Sequence, residues 1–147
     1  MNSKIFSILT IIILSLAITS EAAAHCEIPC GIYDDQLRIK LIDEHIDTIE
    51  KSINQIRALE KQPPANYNQL VRWINNKEAH ADEVQHIVSQ YFMTQRIKID
   101  AKQYDLKISL LHKMLVFAMR CKQTTDLENI VQLRSLLKEF SSLYFAQ

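Results

Sequence analysis

The chain has 147 residues and 17 Lys/Arg against 17 Asp/Glu. That zero net charge excludes the basic surplus of a nucleic-acid or anionic-membrane binder and the acidic surplus of a solvating tail. Hydrophobic residues make up 48%, enough for one domain with its own core.

Met1-Asn2-Ser3-Lys4 leads into an apolar run from Ile5 to Ile18, followed by Ala22-Ala23-Ala24. The run is short for a bilayer span, and the alanines supply the small residues that signal peptidase needs beside its cut. The pattern predicts a secretory signal peptide over residues 1–24, removed to leave a mature domain over residues 25–147 that begins at His25. The mature chain is then exported, periplasmic or extracellular, with no membrane span of its own. The cut removes Lys4 and Glu21, so the chain stays neutral and net repulsion does not oppose self-association.

Residues 25–34 contain the only glycine and no helical pattern. From Asp35 the sequence changes, because Ile42, Ile46, Ile49, Ile53 and Ile56 recur at steps of four and three, one face of a helix over Asp35 to Glu60. Pro63-Pro64 ends it. Asn66 is placed to cap a second helix carrying Leu70, Ile74, Ala81, Val84, Val88 and Tyr91, expected to end between Phe92 and Thr94. A third stripe runs Tyr104, Ile108, Leu111, Leu115 and Ala118, to about Cys121. A fourth runs Ile130, Val131, Leu137, Phe140 and Tyr144, with Thr125 and Glu128 at capping-box spacing before it. Short connections and no strand-like alternation predict an all-α fold, an antiparallel four-helix bundle over residues 35–147 with an N-terminal hook over residues 25–34.

A metal centre inside such a bundle needs repeated Glu-x-x-His pairs facing inward. Glu44, His45, His80, Glu83 and His86 do not form that repeat, so these side chains are expected on solvated faces, with His112 on a helix flank. Cys121 lacks His or Asp at a spacing that would make it a nucleophile and is expected as a small, partly buried residue. Trp73, Tyr91 and Phe92 are core or interface candidates.

The hook is richer. If His25 is the terminus, residues 25 and 26 offer an amine, an imidazole, an amide nitrogen and a thiolate, and Cys30 adds a second thiolate. An amine, a deprotonated amide and two thiolates can share one plane around a metal with the imidazole axial, a geometry suited to nickel or copper, whereas zinc asks for a tetrahedron. Pro29, through a cis Ile28-Pro29 bond, and Gly31 would let the chain curl back on the ion. Two other readings stand beside this one. A secreted helical binding or structural module could tie Cys26 to Cys30 as a disulfide and hold no metal, and a nickel or copper carrier could use the same donors without turnover.

The stretch "HCEIPCGIY", residues 25–33, resembles the nickel hook of nickel-containing superoxide dismutases, His-Cys-x-x-Pro-Cys-Gly-x-Tyr. The match covers His25, Cys26, Pro29, Cys30, Gly31 and Tyr33. "YNQLVRWINNKEAHADEVQHIVSQYF", residues 67–92, is similar to the family's second helix, which ends in a Tyr-Phe pair. The resemblance implies a four-helix bundle that converts superoxide to O2 and H2O2 by Ni(II)/Ni(III) cycling, with one nickel ion per subunit and assembly as a homohexamer. It implies that His25, Cys26 and Cys30 are the metal ligands, that Pro29 is cis, that Tyr33 gates superoxide entry, and that Tyr91 supports Tyr33. The sequence departs from the family where an acidic residue on the first helix and a basic residue on the second orient the axial imidazole. The corresponding regions read Arg38-Ile39-Lys40-Leu41 and Asn75-Asn76-Lys77.

Overall fold

The computed structural model describes residues 31–146. The expected signal segment, the cleavage point, His25, Cys26, Cys30 and the Ile28-Pro29 bond lie outside the described residues. Helix α1 spans Asp35–Glu60, α2 spans Tyr67–His86 and continues as a π-helix over Ile87–Arg96, α3 spans Tyr104–Gln123, and α4 spans Glu128–Phe145. Each helix packs on the next, and α1 closes the ring on α4. The starts of α1 and α3 meet the ends of α2 and α4, so the bundle is antiparallel, and the fold is all-α. Among the described residues, no helix is long and apolar enough to cross a membrane.

Asp34 caps α1 by accepting a hydrogen bond from the Leu37 amide at 2.9 Å. The five isoleucines expected on its inner face are all buried. Asn66 caps α2 by accepting from the Gln69 amide at 3.2 Å. At the centre lies Phe92, fully buried, with edge-on contacts to Tyr91, Phe140 and Tyr144 at ring-centroid distances of 5.1, 5.1 and 5.6 Å. On the surface, the Arg134 guanidinium of α4 reaches Asp43, Asp47 and Glu50 of α1 at 3.1, 2.9 and 2.8 Å.

Four expectations are corrected. The second helix does not stop by Thr94 but runs to Arg96, because its last ten residues wind as a π-helix, in which residues five apart become neighbours. The Thr125/Glu128 capping box does not form. Thr124 instead accepts from the Asp126 amide at 3.3 Å, and Asp126 accepts from the Glu128 amide at 3.0 Å, which moves the start of α4 past Thr125. Val131 is 57% exposed, because Ile130 takes the inward direction and Val131 follows about 100° around the helix. The stripe on α3 is also turned from the one expected: Lys107, Leu110, Leu111, Met114, Ala118 and Cys121 are buried.

Lys77 occupies a core position of α2 at 3% exposure. Its ammonium donates to the carbonyls of Cys121 at 2.7 Å, Lys122 at 2.5 Å and Thr124 at 3.3 Å, the end of α3. Such ends leave carbonyls without partners and favour a cation. Burial pushes the Lys77 ammonium below its ordinary value, with Glu78 and Cys121 pulling back. A Lys77→Met variant strands these carbonyls and is expected to lose about 2–3 kcal/mol of stability in urea melts. An unchanged midpoint would remove the ammonium from the structural account.

Candidate active site

The site grows from the turn where the chain enters the bundle. Gly31 has φ +84°, with nothing within 4 Å of where a Cβ would stand. Its backbone angle, not crowding, is what asks for glycine. Two residues on, Tyr33 meets Tyr91 edge to face, with centroids 5.8 Å apart and planes at 76°. The two tyrosines expected to work together are thus adjacent. They differ in exposure, Tyr33 at 38% and Tyr91 at 4%.

What anchors Tyr91 is a carboxylate that the sequence reading did not single out. Asp35, in the first turn of α1, accepts from the Tyr91 hydroxyl at 2.6 Å and from the Tyr144 hydroxyl at 2.8 Å. Arg96 grips the same carboxylate with both arms, Nε to Oδ1 at 2.8 Å and Nη2 to Oδ2 at 2.7 Å. Charge-assisted, bidentate bonds of this length are the strong kind. The π-helix explains how α2 supplies two of these donors, since Tyr91 and Arg96 are five residues apart and would diverge on an α-helix. Arg96 also lies over the Tyr33 ring at 4.3 Å, and Arg38 over the Tyr91 ring at 5.1 Å.

These contacts set the protonation of the site. Burial alone would raise the Asp35 carboxyl, but hydrogen bonds from Arg96, Tyr91 and Tyr144 together with the Arg96 charge outweigh it and leave the group below its ordinary range. Burial, then the bond and charge of Asp35, push the Tyr91 phenol well above its ordinary value, and the same causes push Tyr144 up to about 12. Tyr91 therefore keeps its proton and commits it to Asp35. Among the described residues the Tyr33 hydroxyl has no hydrogen-bond partner, and Arg38 Nε and Gln95 Oε1 are buried without one.

Of the residues expected on solvated helix faces, His45 and His80 meet instead. Their Nδ1 atoms are 2.8 Å apart, so one ring donates the single proton that the pair shares. Among the described residues no group of three or more His, Cys, Asp or Glu side chains converges as a metal site. Burial, then His80, hold the His45 imidazole below its ordinary value, while Glu83 and Glu44 push the other way. A lowered histidine contributes stability above its unfolded value, about 6.5, and loses it as pH falls through the folded one. The melting temperature is therefore expected to drop between pH 7 and pH 5. His45→Gln should flatten that slope, and an equal slope in the variant would rule the pair out as its source.

Cys121 is buried, and its thiol is pushed up to about 11 by burial, the state of an inert core residue. Lys77 and Asn76, where the family's orienting basic residue was sought, are committed elsewhere, Lys77 to the end of α3 and Asn76 to the Ser52 hydroxyl at 2.9 Å. Asp35 and Arg96 were missed for a physical reason. An acid in a first turn reads as an ordinary partner of the helix N-terminus, and Arg96 lay beyond the expected end of the helix. The usable signal was the antiparallel hairpin itself, which returns the residues after Tyr91 to the level of Asp35.

No curated protein and no solved structure matches the chain. A sequence model of one family does match, over residues 20–147, and its description is nickel-containing superoxide dismutase. The match takes in the "HCEIPCGIY" motif and all four helices, so the chain belongs to the nickel-containing superoxide dismutases, oxidoreductases that act on superoxide with a nickel cofactor.

Proposed function

We propose that the chain dismutates superoxide at the end of the bundle where Tyr33, Tyr91, Asp35 and Arg96 meet, with nickel held by His25, Cys26 and Cys30 of the hook. The observation that carries this reading is the Tyr33–Tyr91 pair, whose first member stands three residues after Cys30. Three residues of extended chain reach about 11 Å at most, so Cys30 stays within that distance of Tyr33 whatever the path between them. The donor set suits the ion, since thiolates and an amide nitrogen are soft, electron-rich donors. His25, Cys26 and Cys30 would hold one nickel per chain, which would supply the one-electron Ni(II)/Ni(III) couple that disproportionation requires.

The chain's own residues divide the remaining work. Arg38, which has no ion-pair partner among the described residues, holds a positive charge over the Tyr91 ring that would draw the anionic substrate toward the tyrosines. Tyr91 spends its one hydroxyl hydrogen as a donor to Asp35 and can only accept from a further neighbour. Tyr33, whose hydroxyl is uncommitted among the described residues, is the donor of the pair, placed to hold a water or the substrate anion at the entrance. Arg96 fixes the Tyr33 ring from above, so the gate pivots against a rigid floor. The reading includes export after removal of residues 1–24 by signal peptidase, to the periplasm or medium, and assembly as a homohexamer.

Intact mass with metal analysis on protein from an exporting host tests the proposal. A mass beginning at His25 with about one nickel per chain, active on superoxide, is the expected result. A mass two hydrogens short of the reduced chain, without metal, would show a Cys26-Cys30 disulfide and overturn the ligand assignment.

A further inference from the structure

Two lysines are buried among the described residues, and their surroundings differ sharply. Lys77 has three carbonyls. Lys107, on α3, is 1% exposed, in register with Leu110, Leu111 and Met114, yet among the described residues it has neither hydrogen bond nor ion pair. Its ammonium stands over the Tyr144 ring, 5.9 Å from the centroid. The stem is buried among apolar residues while the ammonium opens on the cleft beside it.

Lys107 lines a cleft of about 530 Å³, with Asp35, Arg96, Lys98, Asp100 and Tyr144 among its walls. Asp35 does not neutralise Lys107, because Oδ1 already accepts from Tyr91 and Arg96, and Oδ2 from Arg96 and Tyr144. The Arg96 bonds to Asp35 use Nε and Nη2, leaving Nη1 uncommitted. Lys98, exposed at the rim, has no ion pair among the described residues. The cleft thus offers an ammonium, one guanidinium nitrogen and a second ammonium, with Asp100 as the single uncommitted acid.

We propose that this cleft binds a small tetrahedral oxyanion, inorganic phosphate or sulfate, between Lys107 and Arg96. Such an ion accepts from several donors at once and matches the mixed ammonium and guanidinium set. The site goes beyond the dismutase reading and requires no nickel, so its test is separate from activity.

Isothermal titration of the full mature chain with inorganic phosphate, at ionic strength held constant with chloride, reads it directly. One saturable site per chain is expected. Lys107→Met should weaken it by about tenfold or more, and the exposed Lys98→Ala by about threefold, by loss of charge-assisted donors. Lys107→Met should also melt no lower than the parent in phosphate-free buffer, because methionine keeps the buried apolar stem and no hydrogen bond or ion pair among the described residues is lost. Absence of saturable binding, or equal affinity in parent and Lys98→Ala protein, would overturn the proposal even if Lys107→Met failed to fold.

Discussion

A mature chain extended by one alanine before His25 is expected to lose nickel-dependent superoxide activity by more than about a hundredfold while keeping its helices. The extension converts the terminal amine into an amide and moves the new amine one residue away from the imidazole and thiolate that would share the ion. Folding should not follow. The core is assembled from residues between Ile39 and Tyr144, all within the bundle, so circular dichroism and the urea midpoint of the metal-free protein should match those of the unextended chain. Adding nickel should raise the melting temperature of the unextended protein alone, because binding stabilises only a state that has the site. Full activity in the extended protein would remove the amine from the ligand set.

The helices were legible from their period, whereas the hook was read from its motif and lies outside the described residues. The isoleucine run of α1 obeys one period and one face from Ile42 to Ile56, and every member is buried. Periodicity failed where the winding or the register changed. The π-helix from Ile87 carries no compositional mark, and Val131 and Ile130 are equally apolar, so pattern alone did not say which points inward. Lys107 and Lys77 escaped for a related reason, since a lysine in a stripe reads as an interruption of the face until its surroundings are seen. The tyrosine pair was reached through the motif and not through spacing, because Tyr33 precedes the first helix and Tyr91 ends the second. What motif and periodicity alike missed was Asp35, whose role exists only once three helices converge on it.

Asp35→Asn keeps the shape of that convergence and removes its charge, and it should cost about 2–4 kcal/mol, since Arg96 loses both arms of its partner inside a site where Asp35 is only 16% exposed. Tyr91→Phe removes one hydrogen bond to the same carboxylate and should cost less, about 1–2 kcal/mol. Because both changes act on one network, the double variant should fall short of the sum by about 1 kcal/mol. The pH dependence has a definite sign. Asp35 is held below its ordinary value, so its contribution is full above the unfolded carboxyl value, about 3.9, and fades as pH falls through the folded one. The gap between parent and Asp35→Asn should therefore be wide at pH 7 and narrow below about pH 3. In the assay, nickel content should stay at the parental level while kcat/KM falls about tenfold, because Tyr33 and Tyr91 lose the floor that fixes them. If Asp35→Asn melted with the parent at pH 7 and kept full activity, the clamp would hold nothing that the bundle does not already hold.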